Sequence, residues 1–232
     1  MTPSEATASP GPAEGAGIIV MAKEPVAGRV KTRLCPPCTP EEAATLAAAL
    51  LADTLAAVAA SPAAWRTVAL DGAPGDWLPP GFGVVAQRGT GLDERLAAAF
   101  VDAGTPAVAI AADTPQVTPE LLGLALATLG APGVDAVLGP TDDSGYWALG
   151  LGLADPRAVV GVPMSSPFTL TAQRDRLHSL GLRVGELPSL RDVDTMADAR
   201  AVAGAVPGSN LARTLAAIEG ASIRHAKSPA PD

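Results

Sequence analysis

A chain of 232 residues is long enough to bury the core of one α/β domain without disulfide or metal staples. Its net charge of −8 opposes a polymeric nucleic acid or an anionic membrane as partner, because both demand a basic face. With aromatics at 3%, an extended stacking platform for single strands is excluded too, which leaves a small ligand held by a few local cations.

Residues 1–16 are rich in Pro, Ala, Ser and Gly and lack the basic start and apolar centre of a signal peptide, so they read as a disordered leader. Gly17 to Ala22 is a short apolar run ending in a polar loop, the pattern of a buried strand. Thr39-Pro40-Glu41-Glu42 then opens a helix, with threonine as N-cap, proline in the first turn and acids at the positive dipole end, and it runs to about Ala59. Apolar runs at Thr67–Leu70 and Gly83–Ala86 predict strands, and Asp93 to Ala103 a helix. A strand over Ala107–Ala112 ends on Asp113, and Thr118-Pro119-Glu120 caps a helix to about Leu129.

Strand Ala136–Leu138, loop Gly139–Gly145 and strand Tyr146–Leu151 come next. A helix near Thr169–Leu180, a strand at Leu182–Leu187 and a helix from about Thr195 close the domain. The segment from 222 to 232 reads as a second disordered end, which leaves one domain over 17–221. No apolar stretch approaches the ~20 residues of a membrane helix, and a cytoplasmic protein is expected. Strands alternating with helices predict a three-layer α/β/α sandwich with a mostly parallel sheet.

In such sheets ligands sit beyond the carboxyl ends of the strands, so the loops there carry the information. The first, Lys23 to Arg33, holds Lys23, Arg29, Lys31 and Arg33, with Gly28 to let backbone approach a ligand. Lysine point charges and arginine forks suit a di- or triphosphate, although the Walker spacing is missing and a solvated basic loop has the same composition. Asp113 could hold a hard cation such as Mg²⁺ or Mn²⁺, or simply shape a turn. Asp192 and Asp194 would share one face of an extended segment, and either Asp194 or Thr195 could cap the next helix. In the loop from Gly139 to Trp147, acids, a hydroxyl and two scarce aromatics suit a polyol, but also a plain turn.

Cys35-Pro36-Pro37-Cys38 has the form of a redox dithiol, yet it follows a basic loop rather than a strand. Zinc would require two further ligands, and the only histidines, His178 and His225, lie in a predicted helix and in the tail. The same histidines give a Ser–His–Asp hydrolase little support.

The ordered motifs Lys23-x-Pro25-x-x-Gly28-x-x-Lys31-Thr32-Arg33-Leu34, Gln87-x-Gly89, Leu92-x-x-Arg95, Asp113-Thr114-Pro115, Gly139-Pro140 with Asp143-x-Gly145-Tyr146, and Asp192-Val193-Asp194-Thr195 span about residues 17–205. This series resembles a bacterial glycosyltransferase-A-like family, long catalogued as a domain of unknown function and related to the phospholactate and molybdenum-cofactor guanylyltransferases. The resemblance implies a nucleotide-diphospho-sugar transferase fold of the GT-A type. It implies that Lys23, Gly28, Lys31 and Arg33 hold nucleotide phosphates and that Gln87 and Gly89 lie near the base or ribose. Asp113 and Asp194 would hold Mg²⁺ or Mn²⁺, with Asp192 as the fallback. Three departures from the family pattern stand out: Ala111-Ala112 for Gly and Ser, Ser144 for the first Gly of Asp-Gly-Gly-Tyr, and Met164 for a tryptophan.

The implied function is metal-dependent glycosyl transfer from a nucleotide sugar to a small acceptor, with Lys31, Arg33, Asp113 and Asp143 in the catalytic set and a carboxylate of the Asp142–Asp143 pair as a candidate general base. The alternative is nucleotidyl transfer, joining a nucleoside triphosphate to a phosphorylated or phosphonate small molecule. A non-catalytic nucleotide-binding module and a dithiol redox protein are the readings from other classes. The oligomeric state is not set by the sequence, and a homodimer is left open.

Overall fold

In the computed structural model, which describes residues 15–227, β1 (Gly17–Lys23) leads through a 3₁₀ turn at Thr32–Leu34 into α1 (Pro40–Ala60). Next come β2 (Arg66–Asp71), β3 (Gly83–Ala86), α2 (Leu92–Ala103), β4 (Ala107–Ala111) and α3 (Pro119–Leu129). They are followed by β5 (Ala136–Pro140), β6 (Tyr146–Leu151), α4 (Thr169–Ser179), β7 (Val184–Glu186), α5 (Met196–Ala205) and α6 (Asn210–Lys227). The sheet order is β3-β2-β1-β4-β6-β5-β7.

The expected mostly parallel sheet is present, with one exception. β6 runs antiparallel to both β4 and β5. Only residues 141–145 join β5 to β6, too few for the crossover that a parallel pair needs.

Side-chain alternation along the strands feeds two cores. Ile18, Val20, Val68, Val108, Ile110 and Val137 meet Leu51, Leu55 and Val58 of α1 and Leu122 and Leu129 of α3 on one face. Ile19, Ala69, Ala109, Leu138 and Leu149 meet Leu96 and Phe100 of α2 and Leu177 of α4 on the other. Both faces are covered, which is why the strands read as continuous apolar runs.

A third core lies outside the sheet. There Leu34, Cys38, Leu46 and Leu50 pack against Val193, Met196 and Val202, and against Leu211 and Leu215 of α6. Helix α1 therefore sits between two cores, and a helix buried on two sides is apolar most of the way round. Its 21 residues include a window of mean hydropathy 1.8, so by length and composition alone it could cross a membrane. This corrects the expectation that no apolar stretch approaches that length; here the two cores account for its apolar character.

Two further sequence expectations change at the C-terminal end. The single last helix is two helices, because Pro207 and Gly208 cannot continue α5. Helix α6 then extends through Lys227, past the boundary expected at 222. Residues 1–14 of the expected leader and 228–232 of the expected tail lie outside the described residues.

The start of α6 is held by α1. The Asp53 carboxylate accepts from the Asn210 backbone N–H at 2.8 Å, the Asn210 side-chain amide at 2.8 Å and the Leu211 N–H at 2.9 Å. A carboxylate on the free N–H groups of a helix start satisfies orphan donors and the dipole together. Asp53→Ala is therefore expected to cost about 1.5 kcal/mol, the upper part of the range for a lost cap. Differential scanning calorimetry should show this as a Tm lower by about 3–6 °C at this chain length.

Candidate active site

At the carboxyl ends of β1, β4 and β5 lies a cleft of about 740 Å³. Lys23, Arg29, Lys31 and Arg33 reach it from the β1–α1 loop, Asp113 from the end of β4, and Asp143 and Tyr146 from the β5–β6 connection. Asp192 and Asp194 enter ahead of α5, and Met164 to Pro167 close the wall ahead of α4. The structure thus gathers the predicted cations and carboxylates from four separate loops.

The acidic set is built around Val193. That side chain is fully buried in the third core. Its backbone N–H donates to the Asp113 carbonyl at 3.1 Å, and its own carbonyl accepts from Lys31 Nζ at 2.5 Å. With Val193 turned inward, the residues on either side turn toward the cleft, as an extended segment requires. Thr195, not Asp194, caps α5 and shares a capping box with Asp198, which leaves the Asp194 carboxylate to the cleft.

Carboxylate oxygens of Asp143, Asp192 and Asp194 all lie within 4.8 Å of one another. The crowding is visible in Asp192, whose pKa is raised from 3.8 to about 6 by burial and then by the charges of Asp143, Asp113 and Asp194. Oxygen-only donors in such a group fit a hard divalent ion such as Mg²⁺ or Mn²⁺.

The cations are already engaged. Lys31 Nζ is 2.9 Å from Asp113 Oδ2 and 3.5 Å from Asp194 Oδ1, and only 15% of its side chain is exposed. Burial works to lower its pKa, but the charges of Asp113, Asp194 and Asp192 outweigh burial and raise it. Arg33 Nη1 donates to Asp194 Oδ2 at 2.5 Å from an exposed position. Farther along the rim, Lys23 and Arg29 lie 3.9 Å and 3.5 Å from the Asp71 carboxylate, which Arg95 also reaches at 3.0 Å.

The two acids of the β5–β6 loop part company. Asp143 Oδ1 accepts from the Thr141 hydroxyl at 2.6 Å and the Gly145 N–H at 2.9 Å, which fixes it at the cleft. A Cβ at Gly145 would come within 3.0 Å of the Asp143 carboxylate and 2.9 Å of the Thr141 hydroxyl, so glycine is required there. Asp142 instead accepts from Ser189 Oγ at 3.1 Å and faces Arg191, beside a second, smaller pocket.

Of the aromatic surface expected for a polyol, only half-buried Tyr146 is left at the cleft wall. Trp147 is 1% exposed, donates its indole N–H to the Pro188 carbonyl at 2.9 Å, and lies against Gly139, where a Cβ would approach its ring to 2.6 Å. Tyr146 turns to the opposite core, its hydroxyl 3.3 Å from Gln173 Oε1 and 3.5 Å from Met164 Sδ. Burial pushes its phenol well above the usual range.

Gln87 and Gly89 lie outside the cleft lining. Gln87 spends both amide hydrogens on the carbonyls of Ala22 and Ala69, each at 2.9 Å, and so ties the ends of β1 and β2. Gly89 has φ +123, and a Cβ there would meet Glu94 Cβ at 2.6 Å, so a turn and a close approach account for it. Gly28 serves a turn with φ +77.

Sequence reasoning did not single out the wall from Ser165 to Pro167. A signal sits in its backbone: the non-glycine residues with left-handed φ among the described residues are Lys31 (46), Ser144 (72) and Ser165 (52), all on loops around the cleft. Ser144 occupies the position where the resembled family has glycine, and its φ supplies the physical reason for that glycine.

The cysteines belong to the third core. Cys38 is buried with its thiol 3.5 Å from Met196 Sδ, and burial raises its pKa, the reverse of an activated dithiol. His178 is exposed on α4.

The profile of a family described as "Uncharacterized protein conserved in bacteria (DUF2064)" matches residues 43–166. Among solved structures, a proposed nucleotide-diphospho-sugar transferase from Desulfovibrio desulfuricans G20 is 27% identical, with TM-score 0.76 over 90% of this chain and 95% of that one. CMP:2-keto-3-deoxy-manno-octonic acid synthetase complexed with CTP is 14% identical, with TM-score 0.53 over 84% of this chain and 99% of that one. For 2-C-methyl-D-erythritol 4-phosphate cytidylyltransferase from Thermus thermophilus the values are 17% and 0.52, over 82% and 98%. The first likeness shows the nucleotide-diphospho-sugar transferase fold, and the other two show a shared fold and nothing beyond it. No curated protein sequence matches the chain.

Two stability measurements check this geometry. Because the Asp192 pKa is raised, the folded state binds the extra proton between 3.8 and about 6, and stability falls as pH rises through that window. Asp192→Asn removes that loss. In metal-free buffer it should raise Tm by about 2–4 °C at pH 7.5, equivalent to about 1 kcal/mol for a half-exposed group. At pH 5 about half of that gain should remain, and it should vanish only below about pH 3.8. Ser144→Gly should relieve left-handed strain at φ 72 and raise stability by up to about 1 kcal/mol in urea unfolding.

Proposed function

The chain belongs to the family described as "Uncharacterized protein conserved in bacteria (DUF2064)", and from that premise we propose that it is a metal-dependent transferase using a nucleotide-diphosphate donor. The reaction is glycosyl transfer from a nucleotide sugar to a small acceptor. One observation carries this reading: the cleft is lined by four cations, Lys23, Arg29, Lys31 and Arg33, and by four carboxylates, Asp113, Asp143, Asp192 and Asp194. A cleft with balanced charge does not attract a diphosphate strongly. Add a divalent ion to the carboxylates and the balance becomes positive where phosphate would lie. The 27% identity to a proposed nucleotide-diphospho-sugar transferase supports the same donor class.

Asp194 would hold the ion together with Asp113, which Lys31 now occupies, and with Asp192 beside them; the ion when bound supplies charge to neutralise the leaving diphosphate. Lys31 and Arg33 bind the same phosphates. The acceptor enters along Met164 to Pro167 and Tyr146. Its hydroxyl oxygen forms a bond to the anomeric carbon of the sugar. The bond from that carbon to the diphosphate oxygen breaks, and the electron pair leaves with the diphosphate. Asp143, the exposed member of the acidic group, accepts the hydroxyl proton on the oxygen that Thr141 and Gly145 leave free.

The cation count favours a second reading, nucleotidyl transfer. A triphosphate needs more neutralisation than a diphosphate, and four cations from one loop suit it. There the phosphate oxygen of a small molecule would attack the α-phosphorus, and pyrophosphate would leave.

A thermal-shift screen of nucleotide sugars and nucleoside triphosphates with and without Mn²⁺, followed by product analysis, tests both. Nucleotide sugars are expected to raise Tm only with Mn²⁺ and to release nucleoside diphosphate once an acceptor is present. Larger shifts with triphosphates, together with pyrophosphate release, would reverse the ranking. Binding without any turnover would leave a nucleotide-binding module. Asp194→Asn should abolish the Mn²⁺-dependent shift and lower turnover at least 100-fold, on the scale of losing one group that acts on developing charge.

A further inference from the structure

Lys31 and Arg33, the residues placed on donor phosphate, are bound in this structure to the residues placed on metal. An ammonium has three N–H donors. Those of Lys31 face Asp113 Oδ2 at 2.9 Å, the Val193 carbonyl at 2.5 Å and Asp194 Oδ1 at 3.5 Å, so none is left for a phosphate. Arg33 Nη1 lies on the other Asp194 oxygen at 2.5 Å. Asp194 thus has one cation on each carboxylate oxygen, and Asp113 is tied to the same lysine.

The backbone at Lys31 is left-handed, at φ 46 and ψ 36, so the residue is held off its relaxed conformation while in this grip. The next residue begins the short turn at Thr32–Leu34, whose Leu34 is anchored in the third core. The side chain can therefore leave its partners while the chain stays in place. What prevents it from leaving is charge: without Lys31, four carboxylates would line the cleft with Arg33 as their nearest counter-charge.

We infer that Lys31 is an exchangeable counter-ion: its ammonium keeps the cation position between Asp113 and Asp194 until a divalent ion takes it, and the exchange hands Lys31 and Arg33 to the donor's phosphates. The inference rests on the metal–nucleotide reading above and adds a binding order to it. A divalent ion arriving alone must displace an ammonium that has nowhere to go. An ion arriving with a diphosphate gives Lys31 a new partner, so the two ligands bind cooperatively, by a linkage that is reciprocal. The same exchange frees Asp113 to join Asp194 on the ion.

The test is Mn²⁺ binding, followed by the free-ion electron paramagnetic resonance signal, in wild type, Lys31→Met and Arg33→Met without any nucleotide. Inorganic pyrophosphate binding is measured in parallel by calorimetry at saturating Mg²⁺. Exchange predicts opposite signs for the two ligands. Lys31→Met should bind Mn²⁺ alone about tenfold tighter and pyrophosphate at least tenfold weaker, within the usual span of coupling between sites. Arg33→Met, at an exposed position that does not endanger folding, should move both in the same directions by a smaller factor.

A lysine that merely ties two loops together predicts something else: Mn²⁺ binding unchanged or weaker in both variants. That result overturns the exchange even if pyrophosphate binding falls, and it leaves the metal–nucleotide reading standing. If no form binds Mn²⁺, both fail together. Should Lys31→Met not fold, Lys31→Gln and Arg33→Met decide the matter by the same signs.

Discussion

The burial of Val193 is the constraint on which the candidate site depends. One valine side chain sits in the third core while its two backbone groups are taken by Asp113 and Lys31. An extended chain that turns one residue inward must turn its neighbours outward. Asp192 and Asp194 are thus presented to the cleft by a hydrophobic contact made on the opposite side of the backbone. The same contact fixes the register between the segment ahead of α5 and the end of β4, so that the Asp113 carboxylate comes within reach of the loop carrying Lys31.

The third core extends this logic to the cations. Leu34 closes the basic loop and packs with Val193 and Met196, next to α1 and α6. Lys31, Arg33, Asp192 and Asp194 are therefore hung from one apolar cluster, though they are far apart in the chain. This also gives α6 a role at a distance: by covering α1 and α5 it completes the cluster that positions both loops, and Asp53 fastens it there. The Cys-Pro-Pro-Cys stretch belongs to the same cluster. Its cysteines fill space beneath the cleft, and the buried thiol beside Met196 gains apolar contact rather than reactivity.

Much of this was legible in the residues, for identifiable reasons. Strand runs, Thr-Pro-Glu caps and the Asp-Val-Asp alternation are local signals, and the structure keeps each of them. What escaped depends on contacts between distant segments. The direction of β6 was implied by the short 141–145 connection. The fate of the aromatics was implied by adjacency alone, since Tyr146 and Trp147 as strand neighbours must face opposite cores. The parting of Asp142 from Asp143 had no such signal. It follows from a register shift between Gly139 and Pro140 and from the pairing of Thr141 with Leu190, neither of which is written in the loop's composition. Gln87 misled for a similar reason: a polar residue beyond a strand end can serve a ligand or two free carbonyls, and here the carbonyls take it.

Seen as an energy problem, the cleft is kept away from the most stable arrangement of its own parts. Carboxylates are crowded until one of them holds its proton to about pH 6, a partly buried lysine is placed among them, and left-handed backbone recurs at Lys31, Ser144 and Ser165. A scaffold selected for stability alone would replace Asp192 by its amide and Ser144 by glycine. Three apolar clusters around rigid strands and helices can absorb such costs, since each local penalty of about one or two kcal/mol is small beside the burial they supply. Repulsion and strain concentrated at one sheet edge, rather than spread over the molecule, mark that edge as the place where a missing charge would be welcome. A divalent ion with a diphosphate brings charges of both signs to where the cleft's own pairs would otherwise have to satisfy one another.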